Sequence, residues 1–150
     1  MKVVLQRVSR AEVRVDGRRV AAIGRGFLLL VGVGREDRFA DADALAAKIA
    51  GLRVFEDDAG KMNVSLQEAG GGILAVPQFT LLGRTRKGRR PDFTAAAPPD
   101  EARDVFERFQ SRLAGAGVPV QTGAFREHMQ VELLNDGPVT LILDSSEYRG

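Results

Sequence analysis

Phe27-Leu28-Leu29-Leu30-Val31-Gly32-Val33 contains the most apolar run of the chain. A strand-sized stretch that is apolar at every position predicts a β-strand buried on both faces. Residues 3–8 and 11–15 also have strand character, and Asp16-Gly17 is a strong turn signal that predicts a hairpin into residues 18–23. The first part of the chain is therefore predicted to be sheet.

Two segments have helical rather than alternating periodicity. Residues 37–54 place apolar side chains on one stripe and begin with acids, which the helix dipole favours there. Residues 98–115 open with proline and acids and close at glycines, as helix ends commonly do. Further strands are predicted at 73–82, 118–121, 129–134 and 139–143.

Two helices among seven or eight strands, without regular βαβ alternation, predict an α+β fold with a mixed, largely antiparallel sheet. An exposed sheet edge invites pairing, so we expect a homodimer that covers such an edge. The length of 150 residues is that of one domain, which we assign to residues 1–143. Residues 144–150 are a polar C-terminal tail and are expected to be loose.

Composition excludes several classes of chemistry. The chain has no cysteine and one histidine, His128, which removes thiolate nucleophiles and multi-histidine metal sites, so no metal or cofactor is expected. His128 stands at the start of a predicted strand, where a solvated or hydrogen-bonded histidine is a simpler interpretation than a catalytic base. No run approaches the roughly 20 apolar residues of a membrane span. We therefore expect a soluble, cytoplasmic protein.

The segment 76–81, Val-Pro-Gln-Phe-Thr-Leu, carries the first candidate site. On a strand, Gln78 and Thr80 share one face, and Phe79 points to the core. Two hydrogen-bonding side chains there are either solvated on a half-exposed face or bind a ligand. Pro77 cannot donate to a ladder, which predicts an edge or a bulge at this point.

The second candidate is Asn135-Asp136-Gly137-Pro138. The simplest interpretation is a hairpin turn between the strands predicted at 129–134 and 139–143. Proline in a tight turn is also where a cis peptide can occur. A cis Gly137–Pro138 bond turns two backbone carbonyls outward in a projection free of side chains.

The third candidate is a basic loop between residues 83 and 91. Its cations are Arg84, Arg86, Lys87, Arg89 and Arg90, in a protein whose formal net charge is only +2. The planar guanidinium group suits phosphate. RNA contact and a solvated loop that keeps a sheet edge soluble are both open on charge alone.

Taken together, these residues resemble the D-aminoacyl-tRNA deacylase family. The resemblance covers nearly the whole chain to about residue 143, through the order and spacing of several short motifs. They are Gln6-Arg7-Val8-Ser9-Arg10-Ala11, Gly60-Lys61-Met62-Asn63, Gln78-Phe79-Thr80-Leu81, Arg90-Pro91, Thr122-Gly123-Ala124-Phe125, Met129-Gln130-Val131 and Asn135-Asp136-Gly137-Pro138-Val139-Thr140. Pro77 departs from the pattern, because the family motif usually begins with serine.

The resemblance implies a homodimeric enzyme that hydrolyses the ester joining a D-amino acid, or mischarged glycine, to tRNA. It implies that Gln78, Phe79 and Thr80 line the adenosine side of the catalytic pocket, and that Gly137-Pro138, in cis, enters it from the partner subunit. The basic loop is the expected tRNA contact.

The absence of cysteine is compatible with this reaction, because an activated ester can be hydrolysed by a positioned water molecule and a hydrogen-bond donor to the oxyanion. We expect Thr80 and nearby N–H groups to position the ester and the ribose 2′-hydroxyl to orient the water; Thr80 as a covalent nucleophile lacks an obvious base. Handedness is expected to be selected by rejecting L side chains.

The competing interpretations are a non-catalytic RNA-binding module of the same fold, favoured by Pro77, and a plain dimeric scaffold.

Overall fold

The computed structural model describes residues 1–149 and confirms the α+β architecture with two main helices. The helices are α1 (Phe39–Gly51) and α2 (Pro99–Gly115), and short 3₁₀ helices span Phe79–Leu82 and Ser145–Tyr148. The strands are β1 (Lys2–Val15), β2 (Arg18–Ile23), β3 (Gly26–Gly32), β4 (Phe55–Glu56), β5 (Met62–Val64), β6 (Gly72–Pro77), β7 (Val120–Thr122) and β8 (Gln130–Asp144). β4 and β5 form a separate small ribbon.

The long strand β1 organises the main sheet. One edge of β1 pairs with β3 along Lys2–Val8 and with β2 along Ala11–Val15, both antiparallel. The other edge pairs antiparallel with β8 over almost its whole length. β6 and β7 continue the sheet beyond β3 in parallel. The sheet is therefore mixed, with the antiparallel pairs concentrated around β1.

The predicted burial of β3 on both faces is confirmed. Phe27 and Leu29 belong to the larger core, which is completed by the apolar stripes of α1 and α2. Leu28, on the opposite face, packs in a second cluster with Val8 and Leu74. Burying both faces in this way supplies the apolar area that a single sheet layer cannot.

The helices lie where the sequence placed them, with shorter ends. α1 begins at Phe39, after the N–H of Arg38 donates to the Asp41 carboxylate at 2.8 Å, a side-chain cap of the helix start. α2 starts with Pro99 as its first residue and with two acids in its first turn. The two helices cover one face of the sheet.

The C-terminal segment is packed, so the expectation of a loose tail is wrong for residues 144–149. Ser145 is fully buried, and its hydroxyl donates to Asp41 at 2.7 Å. Arg149 pairs with Asp41 at 2.6 Å and with Asp37 at 3.2 Å. Local composition predicted a polar segment but gave no sign of these carboxylates on and before α1. Across residues 1–149, no helix combines the length and apolar character needed to cross a membrane.

Candidate functional site

A cavity of about 660 Å³ opens where β6 ends, between the start of α2 and the segment that leads into β8. All three residues predicted as catalytic line it, together with apolar residues of β3 and α2. Its lining includes Val31, Arg35, Gln78, Phe79, Thr80, Phe93, Ala102, Phe106, Phe125, Arg126 and His128.

The strand predicted through residue 82 ends at Pro77, and this changes how the site is built. The chain turns into the 3₁₀ helix Phe79–Leu82, so Gln78 and Thr80 are not related by strand alternation. They still meet, because Gln78 Nε2 donates to Thr80 Oγ1 at 3.0 Å. Phe79 was predicted to enter the core, but its side chain is 58% exposed. Its place is the mouth of the cavity.

The expectation that Pro77 marks an edge strand or a bulge is wrong. β6 lies between β3 and β7, and Pro77 is its last residue. The N–H of Gln78 donates to Val31 O at 2.7 Å on the β3 side, so the N–H of position 77 would face the β7 side. The paired part of β7 has already ended there, opposite Ala75. Proline at this position therefore removes no ladder bond.

Four of the eight phenylalanines of the chain line this cavity, in two pairs. Phe79 and Phe93 pack edge to face, with ring centroids 5.1 Å apart. Phe106 and Phe125 form a tilted pair at 6.3 Å. Flat aromatic walls of this kind are suited to a planar ring such as a nucleobase.

The basic loop leaves directly from this aromatic wall. Arg84 and Asp92 exchange backbone hydrogen bonds of 2.8 Å in each direction, which closes the loop at its base. Gly83 sits at the junction, where a Cβ would lie 2.9 Å from the Phe93 ring. The structure brings the five predicted cations together on this one exposed loop: Arg84, Arg86, Lys87, Arg89 and Arg90. The loop is thus fixed at its root beside the cavity.

Residues 135–138 do not form a hairpin turn, so that prediction is wrong. β8 continues through them as one strand, and it stays paired with β1 on both sides of an irregularity. Gln6 is opposite Thr140 and Val8 is opposite Asn135, so β8 contributes three extra residues there, as a bulge. Asp136, Gly137 and Pro138 are exposed, and the Gly137–Pro138 peptide is cis, as the resemblance implied.

Arg7 holds this bulge from behind. Its side chain is buried, and Nε donates to Asp136 O at 3.0 Å while Nη1 donates to Val54 O at 2.7 Å. On the outer side, Asn135 Oδ1 accepts from the N–H of Val139 at 3.2 Å. Gly137 has φ +134°, and a Cβ on it would lie 2.9 Å from Val139. The exposed main chain of Gly137 and Pro138 is therefore fixed in position by its surroundings.

Gly137 and Pro138 are not among the described residues that line the cavity of their own chain. The structure therefore brings together the polar pair, the aromatic residues and the root of the basic loop, but not the bulge.

Sequence reasoning missed several lining residues. Phe106 was assigned to the core stripe of α2, Phe93 and Phe125 received no role, and His128 was placed on a strand. His128 lies in the exposed segment before β8 and lines the cavity. Arg35 and Arg126 also line it, from two different loops. No local pattern marks these residues, because the fold assembles them from segments far apart in the chain.

A second cavity, of about 550 Å³, lies between α1 and α2. Its carboxylate, Asp43, accepts hydrogen bonds from Arg108 at 2.7 Å and Arg112 at 3.0 Å. The hydrogen bond from Arg108, reinforced by that from Arg112, lowers the pKa of Asp43 to about 2, against the smaller opposing effect of burial. These charges already satisfy one another, so this cavity offers a ligand less than the first.

Fold and site together define an α+β protein with an aromatic, polar-tipped pocket beside a basic loop. The chain belongs to the family described as D-Tyr-tRNA(Tyr) deacylase, whose model matches residues 4–144. It is 57% identical over 147 residues to a D-aminoacyl-tRNA deacylase of Symbiobacterium thermophilum, covering 98% of this chain and 97% of that protein. A protein of the same name from Thermomicrobium roseum is 59% identical over 150 residues, with coverages of 100% and 97%.

Two solved structures share the fold of this chain. A structure described as c-Myc DNA Unwinding Element Binding Protein superimposes with a TM-score of 0.88 at 40% identity, covering 96% of this chain and 98% of its own. A probable eukaryotic D-amino acid tRNA deacylase gives a TM-score of 0.80 at 21% identity, covering 95% and 97%. The second likeness concerns the fold alone.

Proposed function

We propose that this protein hydrolyses the ester bond between a D-amino acid, or mischarged glycine, and the terminal adenosine of tRNA. The observation that carries the proposal is the cavity itself, where the Gln78–Thr80 pair, two phenylalanine pairs and the root of a basic loop meet. The family membership and the names of the relatives support it. Because such a substrate belongs to translation, we place the reaction in the cytoplasm.

The chemistry uses a water molecule and no side-chain nucleophile. The adenine packs against the phenylalanine walls, and the Thr80 hydroxyl, which accepts a hydrogen bond from Gln78, donates a hydrogen bond to the ester. The first N–H groups of a 3₁₀ turn have no acceptor within the turn, so those of Phe79 and Thr80 are free to stabilise the oxyanion. Water, oriented by the ribose 2′-hydroxyl, attacks the carbonyl carbon. The acyl–oxygen bond then breaks, and the proton lost by the attacking water passes through the 2′-hydroxyl to the departing ribose oxygen, so that the free amino acid and the tRNA hydroxyl are released.

We further propose that the active unit is a homodimer joined through β8. β8 pairs with β1 on one side, and within residues 1–149 no strand covers its other side. The strand exposes apolar side chains, with Ile142 77% and Leu134 53% accessible. The Gly137-Pro138 bulge lies between them on the same strand and would enter the pocket of the partner.

In that position the bulge explains selection by handedness. The main chain is fixed by the hydrogen bonds from Arg7 to Asp136 and from Val139 to Asn135, so an L side chain clashes with it. A D side chain points away, and glycine has no side chain to clash. Discrimination of about 10⁴ corresponds to roughly 5.5 kcal/mol between the two transition states. Exclusion supplies that difference for every amino acid, whereas attractive contacts would need a different pocket for each.

The basic loop supplies affinity for the rest of the substrate. Its five cations are exposed on a loop whose root at Gly83 adjoins Phe93, and from there they can meet the phosphates of the acceptor stem. Phosphate contacts of this kind carry no sequence information, which suits an enzyme that acts on many tRNAs.

The test measures release of amino acid from D-Tyr-tRNA, Gly-tRNA and L-Tyr-tRNA. We expect rapid release from the first two and little from the third. Thr80→Val keeps the shape and removes the hydroxyl, so kcat should fall about 10- to 100-fold, in line with the loss of one transition-state hydrogen bond. Thr80→Ser restores the hydroxyl and should recover most of the rate. If Thr80→Val retains full activity, the assigned role of this hydroxyl is wrong.

The alternative function is a non-catalytic RNA-binding module of the same fold, and the presence of Pro77 in place of the family serine favours it. This alternative predicts tRNA binding that depends on the basic loop, without release of amino acid from D-Tyr-tRNA.

A further inference from the structure

Two arginines on the cavity wall have no part in the function proposed so far. Arg35 lies in the connection between β3 and α1, and Arg126 lies between β7 and β8. Both line the same cavity as Thr80, and both are exposed. They come from segments separate from the basic loop, so they add a second group of positive charge at the site.

The guanidinium of Arg35 is already oriented. Its Nε donates to Thr94 O at 2.6 Å, and its backbone N–H donates to Ala95 O at 3.1 Å. Within residues 1–149, no carboxylate lies within 4.0 Å of it, and its two terminal nitrogens donate to no protein acceptor. A guanidinium group that is fixed through Nε and has two free terminal nitrogens is suited to an anion that accepts two hydrogen bonds.

Arg126 is held in a different way. Its backbone has φ +63°, in the left-handed region that arginine rarely adopts. In the part of the chain that the structure describes, its side chain forms no ion pair. Glu127 is the one carboxylate on the described cavity lining and is paired with neither arginine, so Arg35 and Arg126 leave the lining with an excess of positive charge.

The aminoacyl end of the substrate cannot be the partner of these charges. An amino acid esterified through its carboxyl group has no carboxylate left, and its α-ammonium group is positive. The anionic groups closest to the terminal adenosine are the phosphodiesters that link it to the preceding unpaired nucleotides. The aromatic walls suit the adenine, so a phosphate one link away falls near the cavity wall.

We propose that Arg35 and Arg126 bind the phosphodiester groups of the unpaired nucleotides that precede the terminal adenosine. The inference rests on the proposed function and assigns two groups of cations to two parts of the tRNA. The loop at residues 84–90 holds the acceptor stem, and the two cavity arginines hold the single-stranded end.

The test compares three substrates that differ in their phosphates: D-tyrosyl-adenosine without phosphate, a D-tyrosyl CCA trinucleotide, and D-Tyr-tRNA. Arg126→Gln keeps a side chain of similar length without charge, and Arg35→Gln is the second variant. The matched control is Arg18→Gln, at an exposed arginine on β2 outside the cavity lining. Thermal unfolding of each variant verifies that it is folded.

We expect kcat/KM to fall about tenfold for Arg126→Gln and Arg35→Gln on the trinucleotide and on tRNA, mainly through KM. On D-tyrosyl-adenosine both should stay within about twofold of the unsubstituted chain. The dependence of tRNA binding on salt should weaken by about one unit of slope for each arginine removed. The Arg18→Gln control should change none of these values by more than about twofold, because exposed charges far from the ligand are screened.

Equal losses on all three substrates would overturn the inference, because they would assign the arginines a structural role. Unchanged rates on all three would overturn it as well. If the unsubstituted chain hydrolyses none of the substrates, the proposed function fails and the inference with it. That result differs from the other two, in which the unsubstituted chain is active.

Discussion

The two regions to which we assign function are both interruptions of a β-strand, and they are built in opposite ways. At Pro77, β6 ends in the middle of the sheet and the chain turns into a 3₁₀ helix. At residues 136–138, β8 bulges outward at the edge of the sheet and then resumes its pairing with β1. The first interruption presents side chains, those of Gln78, Phe79 and Thr80. The second presents main chain, at Gly137 and Pro138.

The difference lies in what holds each region. The 3₁₀ turn follows directly from the pairing of β6 with β3, and its exposed side chains make few contacts beyond Phe93 and each other. The bulge depends on a buried arginine that is 129 residues away in sequence. Groups that bind and polarise a substrate can tolerate some mobility, whereas a main-chain barrier functions only if it cannot yield.

The largest effect is expected from Arg7→Ala. Removing the guanidinium leaves the carbonyl of Val54 without this buried donor, at about 1–3 kcal/mol, and the partly buried carbonyl of Asp136 without its donor at a smaller cost. We expect the free energy of unfolding to drop by about 2–4 kcal/mol and discrimination between D- and L-Tyr-tRNA to weaken. Chemical denaturation and paired hydrolysis rates measure both. Arg10→Ala is the control, because its exposed ion pair with Glu132 contributes less than about 1 kcal/mol.

Gly137→Ala tests the bulge at its exposed main chain, and its Cβ would also come within 3.1 Å of Nη2 of Arg7, the residue that supports the bulge. The added Cβ meets Val139 at 2.9 Å, and φ +134° is unfavourable for alanine, so we expect about 1–3 kcal/mol of destabilisation. A displacement that removes about 1.4 kcal/mol of the difference between transition states reduces selectivity tenfold. Gly24→Ala, where a Cβ meets nothing within 4 Å, should be silent. If Gly137→Ala keeps full selectivity, the bulge is not the chiral barrier.

Pro77→Ser addresses the other interruption and is expected to change little. No ladder bond is lost to proline at the last residue of β6, so serine restores no pairing there. We expect kcat/KM on D-Tyr-tRNA to stay within about twofold, as single hydrogen bonds at partly exposed sites contribute little net free energy. A large gain of activity would show that the family hydroxyl matters and would favour the RNA-binding alternative for the natural chain.

The smallest effect concerns Asp43, outside both regions. Its pKa of about 2 in the folded chain, against 3.8 ordinarily, means that it stabilises the fold above pH 4 and that this contribution is lost as pH falls towards 2. Its arginine partners are partly exposed, so the contribution is below about 1 kcal/mol. Asp43→Asn should flatten this part of the stability profile and leave D/L selectivity unchanged at neutral pH. Urea unfolding between pH 2 and 5 measures the first effect, and an altered selectivity would contradict the second.

Local pattern was enough to place much of the fold. The apolar run at residues 27–33, the two helical stripes and the charge of the basic loop are properties of contiguous residues. Their outcomes, a strand buried on both faces, α1 and α2, and an exposed loop, were predicted in type with only the ends shifted.

The failures come from interactions that no local pattern contains. Asn135-Asp136-Gly137-Pro138 has the composition of a tight turn, but pairing with β1 on both sides keeps β8 in a single strand. The alternation assumed at Phe79 failed because β6 ends at Pro77, opposite Val31 near the end of β3, and the chain turns into a 3₁₀ helix. Arg35 and Arg126 join the cavity only through the fold. The sequence was thus sufficient to predict the residue types of the site, but it did not predict their arrangement in space.

The double pairing of β1 also constrains how the chain is made. One edge of β1 can be satisfied by β2 and β3 as soon as they are synthesised, because these neighbours follow within the next residues. The other edge must wait for residues 130–144, which are synthesised after the other seven strands of residues 1–149. Until then the nascent chain carries a long unpaired strand edge, and the bulge at Gly137 has not formed. Chaperone capture during translation should therefore focus on this waiting edge.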